Sequence, residues 1–126
     1  MHIEKLKLEA QNKALHIADV SGSALFNADC MDILPLIPNK SVQLVLADLP
    51  YGITGLEWDK ELNLNKLWEQ YKRISNVVIL FGKQPFTTDL IQSGRNWFKY
   101  ELIWEKDKPT NFALANKQPM CYHENI

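Results

Sequence analysis

Five consecutive residues, Asp48-Leu49-Pro50-Tyr51-Gly52, carry side chains that suit a flat heterocycle with an amino group. The Asp48 carboxylate can accept one amine N–H, and a backbone carbonyl ahead of Pro50 can accept the other, because the residue before a proline is held extended. The Tyr51 ring can stack on a base, a contact worth roughly 1–3 kcal/mol, and Gly52 permits a tight turn. The same residues are also typical of a plain turn after a strand, so both interpretations stand at this point.

Two acceptors aimed at one amine would also activate it for reaction. The lone pair of an adenine amine is delocalised into the ring, which makes the nitrogen a poor nucleophile. Acceptors on both of its protons favour a pyramidal nitrogen, whose lone pair can attack a sulfonium methyl group. A carboxylate then stabilises the positive charge that develops on the amine, and the remaining requirement is the alignment of nitrogen, methyl and sulfur.

The elements that must position this motif can be read from hydrophobic patterning. The segment Val42–Ala47 ends in a continuous apolar run, which predicts a strand covered on both faces that stops at Asp48. Apolar residues three and four apart over residues 64–74 predict an amphipathic helix. A second buried strand is predicted over Val77–Phe81, and a short helix over Pro85–Ser93.

The remaining segments give weaker signals. Residues 24–28 are predicted as a short strand and residues 31–37 as a short helix or turn. Alternating apolar and polar residues over 98–105 predict a partly exposed strand, and residues 106–120 are predicted as a loop. A Ser-Gly-Ser turn at 21–23 separates an N-terminal segment, residues 1–23, from a catalytic-domain segment, residues 24–126.

The order strand, helix, strand, helix, strand predicts an α/β fold with a mainly parallel open sheet. Val42–Ala47 and Val77–Phe81 are expected to be adjacent central strands, because one helix joins them and such crossovers are nearly always right-handed. Ligands of these sheets bind outside the carboxyl ends of the strands. Asp48, Pro50 and Tyr51 are therefore expected to line a cleft there, with Asp29 close by, since it also follows a predicted parallel strand.

The residues Asp48-Leu49-Pro50-Tyr51 resemble motif IV of the DNA amino-methyltransferases, usually written Asp-Pro-Pro-Tyr. Leu49 departs from that form, mildly, because the role implied at this position belongs to a backbone carbonyl. Other short segments resemble phage and prophage members of the family: Asn27-Ala28-Asp29-Cys30, Trp58-Asp59, Leu67-Trp68-Glu69, Leu80-Phe81-Gly82, Trp104-Glu105-Lys106, Asn111-Phe112 and Lys117-Gln118-Pro119. The resemblance covers nearly all of residues 24–126.

This resemblance implies a partial Rossmann-like fold of the S-adenosylmethionine-dependent methyltransferases. It implies a site-specific enzyme that methylates an exocyclic amine of double-stranded DNA, with Asp48, Leu49, Pro50 and Tyr51 as the catalytic motif. Asp at position 48 leans towards adenine N6 over cytosine N4. Asp29 matches the acidic residue near the adenine of the cofactor in the family, and a role as a turn or helix N-cap residue is an equal alternative.

Composition limits the partners and the compartment. The 126 residues suffice for a single core, and the formal net charge of −1 lacks the basic excess of many nucleic-acid binders. DNA binding must therefore rest on local patches or on parts outside this chain. Cys30 and Cys121 lack metal-ligand spacing, which predicts reduced thiols and no metal site. No apolar run is long enough for a bilayer, so a soluble cytoplasmic protein without a membrane partner is expected.

One family element is missing from the sequence. The chain has no Phe-x-Gly-x-Gly or GxGxxG motif, and in the implied motif order the Gly-rich element that holds the methionine part of the cofactor follows last. We therefore expect the N-terminal part of an enzyme that on its own binds S-adenosylmethionine weakly or not at all. The alternative is a truncated, non-catalytic remnant that acts only as a folded or partner-binding domain. An open sheet edge would favour a homodimer in either case.

Overall fold

The computed structural model describes residues 3–52, 56–57, 59 and 62–126. Its helices and strands, in chain order, are α1 Ile3–Ala10, β1 His16–Val20, β2 Ser23–Asn27, α2 Cys30–Ile33, β3 Val45–Asp48, α3 Leu64–Ile74, β4 Val78–Phe81, α4 Phe86–Ser93, β5 Ile103–Thr110 and β6 Cys121–Asn125, with short 3-10 helices at Leu34–Leu36 and Phe112–Leu114. The chain divides into two compact units, the first formed by Met1–Val45 and Lys66–Val78, the second by Leu46–Asn65 and Ile79–Ile126. No helix in the described part has both the length and the apolar character needed to cross a membrane.

The first unit contains an antiparallel hairpin of β1 and β2, with His16 opposite Asn27. Its two-residue turn has positive φ at both positions, 51° at Ser21 and 80° at Gly22, as the type I′ turns that join twisted hairpin strands require. The strand predicted over residues 24–28 is thus present, but it is antiparallel. The predicted division at residue 23 falls inside this hairpin.

Helix α3 follows the periodicity of its apolar residues, as predicted. Leu67, Tyr71 and Ile74 are all buried, with at most 4% of their surface exposed, and they lie three and four positions apart on one helical face. The helix packs in a core that also contains buried residues of α1 and α2, namely Leu6, Ala10 and Ile33. The helix predicted over Pro85–Ser93 is likewise confirmed as α4, which ends with the Gly94 N–H donating to the Leu90 carbonyl.

The predicted fold class, an α/β fold with a mainly parallel open sheet of partial Rossmann-like type, is wrong. β3 and β4 do pair in parallel, as expected for the segments Val42–Ala47 and Val77–Phe81, but they form a two-stranded sheet. The other two sheets are antiparallel pairs. The physical reason lies in the connections. The two-residue turn between β1 and β2 allows only an antiparallel pair, and β5, although it follows the long connection through α4, pairs with β6 instead of β4. The strands are also less covered than predicted, since Leu46 is 60% exposed.

In the second unit β5 and β6 pair antiparallel, with Ile103 opposite Asn125 and an irregular register between Glu105 and Thr110. The strand predicted over residues 98–105 therefore begins five residues later than expected, and the predicted loop over 106–120 contains the rest of β5. An isolated bridge joins Gly82, directly after β4, to Asn125 of β6. This bridge brings β6 beside the carboxyl end of β4.

Candidate functional site

Residues 48–52, hereafter the motif turn, begin where β3 ends. Asp48 is exposed, whereas the Leu49 side chain is buried with 8% of its surface accessible, and Pro50 and Tyr51 are partly exposed. Leu49 thus anchors the turn to the core while its neighbours remain accessible to solvent. β3 and β4 run parallel, so the carboxyl ends of both strands lie at one edge of their two-stranded sheet.

A hydrogen bond inside the motif turn holds its carboxylate and its phenol together. The Tyr51 hydroxyl donates to Oδ1 of Asp48 at 2.7 Å, a charge-assisted bond of ordinary length for O–H to carboxylate. Among the described residues, none donates a hydrogen bond to the second oxygen, Oδ2. Because a carboxylate can accept several hydrogen bonds, Asp48 retains acceptor capacity at the surface.

Electrostatics keep the Tyr51 phenol protonated. Its pKa lies well above the ordinary value, first because the side chain is partly buried, then because it donates to Asp48, and finally because of the negative charges of Asp48 and Glu124. Each of these effects disfavours the phenolate. Tyr51 therefore acts as a hydrogen-bond donor at every physiological pH. The charge of Glu124 also shows that β6 contributes to the surroundings of the motif turn.

The Tyr51 ring lies against a second aromatic ring. Its centroid is 5.2 Å from that of Phe86, with an interplanar angle of 32°. Phe86 is the first residue of α4 and is 7% exposed. Ring pairs at this separation are worth about 0.5–1.5 kcal/mol beyond the area they bury. The contact fixes the direction in which the Tyr51 ring is presented.

Gly52 closes the motif turn in the left-handed region, with φ of 70°. A Cβ placed there would meet no atom of the described residues within 4 Å, so the backbone conformation, with its φ of 70°, is what favours glycine. The Gly52 N–H donates to Oδ1 of Asp59 at 2.7 Å. Asp59 is only 6% exposed, so a buried carboxylate contacts the end of the motif turn. Trp58, which the resemblance pairs with it, lies outside the described residues.

Asp29 has the N-cap role that was one of its two predicted alternatives. It precedes α2, and its Oδ1 accepts the Met31 N–H at 2.8 Å. Asp29 was expected close to Asp48 because both were predicted to follow parallel strands, but β2, which precedes Asp29, belongs to an antiparallel hairpin. Asp29 lies in the first unit and Asp48 in the second. Its predicted contact with a cofactor stays a prediction.

Sequence reasoning missed three contributors to the surroundings of the motif turn: Phe86, Asp59 and Glu124. Glu124 forms an ion pair with Lys106, whose Nζ also lies 5.8 Å from the centroid of the Trp104 ring. Only the Trp58-Asp59 pair had a sequence signal, through the family resemblance. The contact to Phe86 and the charge of Glu124 depend on how distant segments fold together.

No model of a known protein family matches this chain, and no curated protein matches it either. The resemblance to the amino-methyltransferases therefore depends on the residues of the motif turn and the short segments around it.

Proposed function

We propose that this chain provides the amine-binding motif of an S-adenosylmethionine-dependent DNA methyltransferase, with adenine N6 of double-stranded DNA as the acceptor. The single observation that carries the proposal is the arrangement of Asp48 at the end of β3. Its carboxylate is exposed, and the hydroxyl of Tyr51, three residues on, holds one of its oxygens. This pairing orients a charged acceptor beside a partly exposed aromatic ring, as the binding of an amino-substituted base requires.

In this proposal Asp48 binds the amine of the base and Tyr51 contacts its ring. Oδ2 of Asp48 accepts one N–H of the amine, while the backbone carbonyl ahead of Pro50 accepts the other. The Tyr51 ring, supported by Phe86, stacks on the heterocycle. As the nitrogen becomes cationic, the Asp48 carboxylate stabilises that charge without reorganising, because Tyr51 already fixes its position.

S-adenosylmethionine supplies an electrophilic methyl group on sulfur, and the resemblance alone brings it into the proposal. The methionine end of the cofactor needs backbone donors gathered by glycines. Gly82, which follows β4, does not form such a cradle, because a Cβ there would lie 2.8 Å from Oγ1 of Thr87, so the space above it is filled by α4. The described residues thus fit the amine and not the whole cofactor, and we assign amine binding to this chain.

The deciding experiment is a titration of the chain with 2′-deoxyadenosine, followed by NMR signals of the motif turn. N6,N6-dimethyl-2′-deoxyadenosine, which lacks both amine protons, and 2′-deoxyinosine, which has a carbonyl oxygen at that position, are the matched controls. We expect perturbation of Asp48 and Tyr51 by 2′-deoxyadenosine and at least about tenfold weaker binding of both controls, because each forfeits a hydrogen bond to a charged group.

The matched variants are Asp48→Asn and Asp107→Asn, the second of which changes an exposed carboxylate on β5. Asp48→Asn should weaken 2′-deoxyadenosine binding by roughly tenfold, and Asp107→Asn should leave it unchanged. Equal binding of all three nucleosides, or equal effects of the two variants, would contradict the proposal and favour a folded domain without catalytic function.

A further inference from the structure

We propose that Asp59 is a positioning residue for the motif turn. It does not touch the base; it holds the backbone from which Asp48 and Tyr51 are presented. This inference rests on the proposed function and adds to it a residue to which the sequence assigns no role. The observations that carry it are the burial of the Asp59 carboxylate and its hydrogen bond to the Gly52 N–H.

The burial of Asp59 requires compensation. Only 6% of its surface is exposed, and a buried carboxylate is costly unless hydrogen bonds replace its lost hydration. The Gly52 N–H supplies one such bond at 2.7 Å, short enough for a charge-assisted interaction. The backbone is tied locally as well, since the Asp59 N–H donates to the Leu56 carbonyl at 2.9 Å. Asp59 is therefore held in place by one hydrogen bond of its side chain and one of its main chain.

The position of Gly52 explains why this bond matters to the motif. Glycine populates positive and negative φ about equally, so Gly52 alone does not select the value of 70° that it has here. The Asp59 carboxylate makes that selection, because its hydrogen bond fixes the plane of the peptide group that links Tyr51 to Gly52. Asp59 thereby sets the main-chain direction at Tyr51.

Tyr51 transmits this constraint to the site. Its hydroxyl reaches Oδ1 of Asp48 at 2.7 Å, and its ring lies 5.2 Å from the ring of Phe86. Both contacts require the Tyr51 backbone to lie in one place. Loss of the Asp59 anchor therefore frees the Asp48 carboxylate as well, although the two carboxylates share no hydrogen bond that would link them directly.

The test uses the complete 126-residue chain and three variants. Asp59→Ala removes the acceptor, Asp59→Asn keeps a neutral acceptor of the same shape, and Glu57→Gln changes an exposed carboxylate two residues away. Three quantities are measured for each protein: hydrogen exchange of the Gly52 amide, the NMR signals of the Tyr51 ring, and the affinity for 2′-deoxyadenosine. Thermal melting confirms that each variant is folded.

We expect a graded response in the site. Asp59→Ala should speed Gly52 exchange and weaken 2′-deoxyadenosine binding by roughly 10- to 100-fold, the range of one charge-assisted hydrogen bond. Asp59→Asn should give intermediate values, and Glu57→Gln should match the parent chain. If Asp59→Ala does not fold, the comparison of Asp59→Asn with Glu57→Gln decides the question.

Two results would overturn the inference. The first is a folded Asp59→Ala chain, or a folded Asp59→Asn chain where the former does not fold, with unchanged Gly52 exchange and unchanged affinity. The second is a fall in melting temperature without any change in the Tyr51 signals, as expected of a merely structural carboxylate. Failure of the proposed function gives a different result from failure of this inference. In that case the parent chain does not prefer 2′-deoxyadenosine over its N6,N6-dimethyl derivative. The Gly52 and Tyr51 signals still report whether Asp59 holds the turn.

Discussion

Two regions of this molecule use charged side chains in opposite ways. In the first unit Lys40, Arg73 and Ser75, hereafter the Arg73 cluster, surround the carboxyl end of α3. Arg73 donates five hydrogen bonds, two of them to the carbonyls of Ile37 and Leu34. Lys40 donates to the carbonyls of Lys72 and Ser75. In the second unit the motif turn carries carboxylates rather than cations.

The two regions also differ in how far apart along the chain their hydrogen-bonded residues lie. Partners in the Arg73 cluster lie as far as 39 residues apart along the chain, whereas the bonds of the motif turn join residues three and seven apart. The cluster uses its polar groups to fasten distant segments and to satisfy the carbonyls that end a helix. The motif turn keeps acceptor capacity on Asp48 at the surface. The difference separates groups that maintain the fold from groups that remain available to a ligand.

The largest effect on stability is expected at Arg73. Replacing it with alanine removes all five of its side-chain hydrogen bonds, including the one to the part-buried Ile37 carbonyl, so we expect the free energy of unfolding to fall by about 2–4 kcal/mol. Urea denaturation followed by circular dichroism measures this loss. The conservative variant Arg73→Lys keeps the charge but not the planar fork of donors, and it should recover only part of the stability. Wild-type stability in Arg73→Ala would show that the cluster does not hold the first unit together.

Ser75 provides the second comparison. Its side chain is completely buried; its hydroxyl donates to the Val77 carbonyl at 2.9 Å and accepts the Val77 N–H at 3.1 Å. Ser75→Ala is expected to cost about 1–3 kcal/mol, because it removes the acceptor of the Val77 N–H and one of the two donors to the Val77 carbonyl, which also accepts the Val45 N–H. The matched control is Ser93→Ala on α4, whose hydroxyl bonds the carbonyl four residues earlier, an arrangement that adds little to helix stability. Equal denaturation midpoints of the two variants would contradict the prediction.

Tyr71 in the first unit, like Tyr51 in the motif turn, has a raised pKa, and this affects the stability of the chain at alkaline pH. Burial, followed by the nearby charge of the Cys30 thiolate, raises the pKa of Tyr71 to about 12. The folded chain therefore keeps this proton after the unfolded chain has lost it. The corresponding stability is complete below the unfolded pKa of about 10 and is lost as the pH rises from there through the folded value.

Tyr71→Phe removes this dependence, so its unfolding free energy should fall less steeply between about pH 10 and 12 than that of the parent chain. Denaturation at a series of pH values provides the measurement. Tyr100→Phe serves as the control, because that ring is 74% exposed. Parallel pH profiles for the parent chain and Tyr71→Phe would rule out Tyr71 as a source of alkaline instability.

The sequence predicted the elements of this fold better than their pairing. Local signals located these elements closely: apolar spacing for α3, the flanking proline and glycine for α4, and a continuous apolar run for β4, which was predicted to within one residue. The partner of a strand is a non-local property, and the apolar run before Asn27 carries no mark that distinguishes a parallel from an antiparallel neighbour. The two-residue turn at Ser21 and Gly22 was the signal for a hairpin, and it was interpreted as a boundary between segments.

The candidate site was predictable to the same extent. The end of a strand at Asp48 was predicted to within one residue, because an apolar run stops there, and the N-cap role of Asp29 was one of two stated alternatives. The bond from Gly52 to Asp59 was not predicted, since no periodicity links a turn glycine to a carboxylate seven residues later. The Arg73 cluster was missed for the same reason, because hydrogen bonds between distant segments leave no pattern in the sequence.

The smallest expected effect on stability belongs to Asp48, the carboxylate that contacts the base in the proposed function. Asp48 is exposed, and its hydrogen-bond partner Tyr51 can still donate to the amide oxygen of an asparagine. Asp48→Asn should therefore change the free energy of unfolding by no more than about 0.5 kcal/mol, as is usual for surface substitutions. Urea denaturation and the 2′-deoxyadenosine titration, carried out on the same preparation, test the two halves of this statement. A loss of stability comparable to that of Arg73→Ala would place Asp48 among the groups that maintain the fold. The motif turn would then no longer differ from the Arg73 cluster in this respect.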